Sequence, residues 1–122
     1  VAIAEAAGKH GARLIHVGHI ASRPVSGSAF LRSMAAGEEA VRKVLPTATI
    51  IRTASLFGFE DRFVNALGLF SRAPFGMPVL NGGKAVKAPL YVGDFAEAVY
   101  RMACEARPGE VEGRTFDFYG YI

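Results

Sequence analysis

The chain has 122 residues, 51% of them apolar and 20% charged, and 14 basic against 11 acidic side chains leave a net charge of +3. That is the composition of one small globular α/β domain. The basic residues are scattered from Lys9 to Arg114 without forming a stripe, which argues against nucleic acid as a partner, and no apolar run approaches the ~18 residues that a membrane span requires.

The first residue is Val1 rather than Met, and a helical pattern opens at once. The expectation is an internal piece of a longer polypeptide that contains no targeting segment. Ala2 to His10 reads as a helix closed by Gly11. Leu14 to Val17 is a short apolar run of the kind found in buried parallel strands. A Ser-, Gly- and Pro-rich loop from Ala21 to Ser28 follows.

Phe30 to Leu45 has helical spacing, with Phe30, Met34, Gly37, Val41 and Leu45 on one face. Glu38–Arg42 and Glu39–Lys43 form i,i+4 pairs in the favoured orientation. Pro46 ends this helix, and Thr49 to Arg52 reads as the next strand. Asp61 to Arg72 is again helical, with Asp61 expected as its N-cap, Phe63, Ala66, Leu67 and Phe70 on one face, and Pro74 beyond its end.

Asn81-Gly82-Gly83 marks a turn in a stretch whose Met77, Val79 and Leu80 suggest an exposed contact surface. Ala88 to Val92 reads as a strand. Asp94 and Glu97 have the spacing of a capping box for a helix that buries Phe95, Val99, Met102 and Ala106. Cys104, the only cysteine, sits among these positions and is expected to be buried and inert. Thr115 to Tyr119 alternates like a last strand.

The order α-β-α-β-α-β-α-β implies a parallel sheet wrapped by helices. No G-x-G-x-x-G or near variant occurs, although a doubly wound dinucleotide fold begins with such a turn. Residues 1–122 are therefore expected to form the C-terminal portion of one doubly wound parallel-sheet domain. Its Gly-rich first half would lie outside this chain, in the same polypeptide or a partner, and would cover a strand edge.

Three stretches line up in order: His16-Val17-Gly18-His19 at a strand end, Phe30-Leu31-Arg32-Ser33-Met34 followed by Gly37-Glu38 on a helix, and Ile50-Ile51-Arg52-Thr53 leading to Phe57-Gly58. With Leu90-Tyr91-Val92-Gly93-Asp94-Phe95-Ala96-Glu97-Ala98, they resemble the atypical short-chain dehydrogenase/reductase family over nearly the whole chain. That resemblance implies a partial NAD(P)-binding, Rossmann-like domain. Phe57-Gly58-Phe59-Glu60-Asp61-Arg62-Phe63-Val64-Asn65 and Lys87-Ala88-Pro89-Leu90-Tyr91-Val92 resemble one branch of the family, the accessory subunits of mitochondrial respiratory complex I. The branch implies a peripheral place on the matrix side of the inner membrane, with other complex I subunits as partners.

In the family, a strand-end Ser orients the substrate carbonyl and a Tyr-x-x-x-Lys moves the proton, the ammonium lowering the phenol's pKa. The matching positions here are Gly18, Phe30 and Met34. All three functional groups are gone, so the resemblance implies a degenerate site with no catalytic residue. Ser28, Ser33 and His19 are the nearby groups that could substitute, and Phe30 and Met34 also read as plain core residues. The resemblance implies NADPH as cofactor, held through Gly18, His19, Phe30, Met34, Thr53, Ala54, Ser55 and Phe57. The loss of a lysine at Met34 and of a proline at Ala54 weakens that hold.

Two other readings stay open. One is an active reductase or epimerase acting on a nucleotide sugar or small carbonyl compound. The other is a regulatory protein that senses dinucleotide. No metal is expected, because His16 and His19 point to opposite faces of a strand, and Glu60-Asp61 reads as helix-terminal charge.

Overall fold

The computed structural model describes residues 1–72, 74, 76, 80–84 and 86–121. The elements in chain order are α1 (Ala2–Lys9), β1 (Ile15–His19), α2 (Ala29–Val44), β2 (Thr49–Thr53), β3 (Leu56–Phe57) and α3 (Phe63–Phe70). A 3₁₀ turn (Leu80–Gly83), β4 (Leu90–Tyr91), α4 (Val92–Tyr100), a π-helical turn (Arg101–Glu105) and β5 (Thr115–Phe118) complete it. Met77 and Val79 lie outside the described residues, so the proposed contact loop is not described there.

The protein is α/β, and its main sheet has the order β1-β2-β5 with both pairings parallel. This is the arrangement expected of part of a Rossmann-like domain. β2 has a strand on each edge, and Thr49, Ile50, Ile51 and Thr53 are buried. A central parallel strand covered on both faces has no polar side to show, which is why Thr49-Ile50-Ile51 reads as a continuous run. Beneath α2, Ala4, Val41 and Ala48 form a small core, with Leu14 and Leu45 packed against it.

α1 ends as its sequence suggests. Gly11 adopts φ +63°, the Gly11 N–H reaches the Gly8 carbonyl at 3.3 Å and the Ala12 N–H reaches the Ala7 carbonyl at 2.9 Å. These two bonds satisfy carbonyls that the helix end leaves open, and only a glycine takes that backbone region without strain.

Several expectations are corrected. Residues 88–92 contribute only Leu90–Tyr91 as a strand, and it is outside the main sheet. It pairs in parallel with β3, an element absent from the sequence reading. β3 begins three positions after β2 ends and supplies the edge with which β4 pairs. Glu38 does not pair with Arg42. It lies under α2 and bonds Arg52 across to β2 at 2.8 Å, while Arg42 turns to the Pro46 and Ala48 carbonyls and to Thr115 Oγ1. Glu39–Lys43 does form, at 2.7 Å.

α3 starts at Phe63 with Arg62 in the cap position, but Asp61 Oδ1 still accepts the Val64 N–H at 2.6 Å. The capping chemistry was placed correctly, one residue further out. Asp94 and Glu97 form no capping box. β4 runs straight into α4, Tyr91 takes the cap position, and Glu97 pairs with Arg101 at 2.8 Å. No described residue of α4 is fully buried.

Cys104 is exposed, not buried. It lies in the π-helical turn, where the Ala106 N–H bonds the Arg101 carbonyl five residues back. The extra residue per turn rotates positions away from the α-helical register on which burial was expected. Among the described residues no helix is long and apolar enough to cross a membrane.

Candidate functional site

In a parallel α/β sheet, ligands bind in the crevice beyond the carboxyl ends of the strands. A crevice of about 400 Å³ lies there, lined by His19 and Ile20 after β1, Ala54 and Ser55 after β2, the segment Val86–Pro89 before β4, and Tyr119 after β5. Its walls are backbone hydrogen bonds. The Ile20 N–H bonds the Thr53 carbonyl at 3.0 Å, the Ala54 N–H bonds the Phe118 carbonyl at 2.9 Å, and the Leu90 N–H bonds the Ser55 carbonyl at 3.0 Å. The Gly120 N–H donates to the Ala88 carbonyl at 3.2 Å, drawing the ends of β5 and of the 86–89 segment together. A Cβ at position 120 would strike the Pro89 carbonyl, so this approach requires glycine.

The lining is mainly apolar and carries four groups able to bond a ligand: the His19 ring, the Ser55 and Tyr119 hydroxyls and the Lys87 ammonium. His19 Nδ1 accepts the Ala21 N–H at 3.0 Å, which fixes the ring. Lys87 is the only formally charged residue among the described lining.

The structure brings together three of the residues expected to touch a cofactor, His19, Ala54 and Ser55. It separates the others. Gly18 is buried beneath α2, where a Cβ would run into the Glu38 carboxylate. Thr53 is buried, and its hydroxyl donates to the Ala54 carbonyl at 3.1 Å. Phe57 packs against Tyr91, with ring centroids 5.7 Å apart, and lines a separate cavity with residues 58–62 and Val92.

Phe30 is 61% exposed and Met34 is half-buried, and neither lines the crevice. The expected burial of Phe30 fails for a geometric reason. α2 has 16 residues, about 24 Å at 1.5 Å each, whereas β1 has five, about 17 Å. The helix is thus longer than the strand on which it packs. The buried residues of α2, Glu38 and Val41, lie in its second half.

Of the proposed substitutes, Ser33 is engaged, its hydroxyl donating to the Phe30 carbonyl at 2.8 Å. Ser28 occupies the α2 cap position without a capping bond, and His19 alone reaches the crevice. Among the described residues no group of three His, Cys, Asp or Glu is arranged to hold a metal. The Glu60-Asp61 pair is divided between an exposed side chain and the helix-capping carboxylate.

Sequence reasoning missed Lys87 and Tyr119 as crevice residues. They lie 32 positions apart and in no common motif.

A dinucleotide presents a flat apolar ring at its nicotinamide end and oxygen acceptors on its ribose and phosphate. The crevice offers an apolar wall and hydroxyl and ammonium donors, in a volume within the usual ~300–1,000 Å³ of ligand sites. The lining thus fits the nicotinamide end. The Gly-rich turn that would grip the pyrophosphate is not in this sequence.

No family model matches the chain. It is 40% identical over 121 residues, 98% of its length, to NADH dehydrogenase (ubiquinone) 1 alpha subcomplex subunit 9, mitochondrial, of Mus musculus. The protein of the same name from Arabidopsis thaliana is 37% identical over 120 residues, 97% of the chain. The chain is a homologue of the subunit 9 proteins. It spans about a third of their length, 31% of the mouse protein and 29% of the plant one. A ceramide reductase of Caulobacter vibrioides is 42% identical over 98 residues, 78% of the chain and 30% of that protein.

Proposed function

We propose that this chain is part of a non-catalytic accessory subunit of mitochondrial respiratory complex I. In this reading it sits peripherally on the matrix side of the inner membrane, contributes to assembly and stability, and holds NADPH with its nicotinamide end in the crevice. The observation that carries the reading is the 40% identity to the mouse subunit across 98% of the chain. The residue types at the positions that match the family's catalytic motif support the non-catalytic part: Phe30 has no hydroxyl, Met34 no charge and Gly18 no side chain. The unpaired edge of β1 supports a covering partner or a further part of the same polypeptide, since among the described residues β1 pairs with β2 alone.

The test is the company the protein keeps. A tagged copy expressed from its own locus is expected to migrate with complex I when mitochondria are solubilised in mild detergent and resolved by native electrophoresis. Recovery only as a free protein at its own mass overturns the assignment.

The likeness to the ceramide reductase favours a second reading, an active reductase acting on a long-chain lipid carbonyl. The crevice's apolar walls suit such a chain, and His19, Ser55 and Tyr119 would face its head. The accessory reading predicts no oxidation of NADPH by the purified protein with a long-chain keto-lipid. Turnover that tracks protein concentration would establish the reductase instead.

A further inference from the structure

We infer that Lys87, with Tyr119 beside it, is the anchor for the ribose and phosphate oxygens of the dinucleotide's nicotinamide end. The inference rests on the reading that the crevice takes NADPH, and adds which residues of this chain hold it.

Ribose and phosphate oxygens accept hydrogen bonds, and an ammonium donates the stronger, charge-assisted kind. The helix position where a lysine would be sought is Met34, which has no donor and does not line the crevice. Lys87 is in the lining, reaches it from a different segment, and is the only formal charge among the described lining residues. The Gly120 to Ala88 hydrogen bond at 3.2 Å joins the segments carrying Tyr119 and Lys87, so phenol and ammonium come from adjoining backbone. Ser55 and His19 complete the donor set from the ends of β2 and β1.

The side chains of Ile20, Ala21, Ala54, Val86 and Pro89 are apolar and suit the face of a ring. In this assignment the oxygen-bearing end lies toward Lys87 and the ring against the apolar side chains. Lys87 itself is exposed, and among the described residues its ammonium makes no hydrogen bond or ion pair.

NADPH is titrated into the full-length protein in its native assembly, with nucleotide fluorescence and calorimetry as readouts and no dependence on turnover. Lys87→Met is expected to weaken binding about 10- to 100-fold, the range for losing one charged hydrogen bond. Lys87→Arg should recover most of that, and Tyr119→Phe should cost about two- to tenfold, as for a neutral bond. Lys9→Met on α1, which removes the same charge far from the crevice, should change nothing, and Met34→Lys should not tighten binding. If the unmodified protein takes up no NADPH, the cofactor reading falls and this inference with it. If it binds and Lys87→Met binds equally well, the cofactor reading stands and the anchor assignment is wrong. Tighter binding by Met34→Lys would place the nucleotide against α2 instead and also overturn it.

Discussion

The Glu38–Arg52 pair makes the sharpest prediction, because its two partners are unequally buried. Glu38 is 4% exposed, while the Arg52 side chain is 33% exposed. Glu38 Oε2 meets Arg52 Nε at 2.8 Å, and Oε1 has no partner among the described residues. Arg52→Met leaves a buried carboxylate without the ion pair that it makes in the fold. Stripping one partner from a buried pair costs about 3–5 kcal/mol, and partial solvent access at Arg52 places this case near the lower end, about 3 kcal/mol. Glu38→Met replaces the carboxylate with an apolar chain of similar length. Arg52 can then turn its head to water along its exposed side, so the loss should be about 1 kcal/mol or less. For a chain of this length about 4 °C of Tm corresponds to each kcal/mol, giving a drop of about 12 °C against one of about 4 °C. Urea unfolding followed by circular dichroism gives the two free energies, and thermal melts give the order independently. Equal losses, or a larger loss for Glu38→Met, would refute the reasoning, since both require that burial and not the contact alone sets the cost.

Gly18→Ser should lose less stability than Gly18→Ala by denaturant titration, because either Cβ displaces Glu38 but only the serine offers its orphaned oxygen a donor; the reverse order would show that the oxygen is satisfied elsewhere. The Lys43 ammonium, by hydrogen bond and then by charge, holds the Glu39 carboxyl below its ordinary range. A depressed carboxyl stabilises the fold above its unfolded titration range and loses that contribution as pH falls through the folded one. Carbon NMR should show Glu39 titrating low and Lys43→Ala returning it to normal, and no change would remove the pair as cause. Arg13 donates to the Met102, Ala103 and Ala106 carbonyls at 3.0, 3.4 and 3.3 Å, so Arg13→Met should speed amide exchange across residues 101–106 and cost about 1–2 kcal/mol. Native Cys104 should react with a maleimide within about tenfold of the unfolded rate, and strong protection would mean that the π-helical turn does not expose it.

Much of the architecture was legible in the sequence because it is local. The Gly11 stop after α1, the Pro46 stop after α2, the apolar run of β2 and the Glu39–Lys43 pair depend on neighbours a few residues away. Asp61 was read as a helix-capping carboxylate because its partner amide is three positions on. The crevice was only partly readable. His19, Ala54 and Ser55 follow strands, and strand ends are where such sites form. Gly18 and Thr53 are one residue earlier, and the alternation of a strand turns them into the interior instead.

What the sequence determined alone was the succession of helices and strands apart from β3, the parallel character of the sheet and the absence of a Gly-rich turn from these 122 residues. Hydrophobic period and backbone breakers suffice for that. Only the tertiary structure decided that Glu38 answers Arg52 rather than Arg42, that β4 leaves the main sheet to pair with β3, that Cys104 faces water, and that Lys87 and Tyr119 share a wall. Each depends on which surfaces face one another once the chain has folded. A pattern confined to one segment carries no information about the charge or the free strand edge that another segment brings beside it.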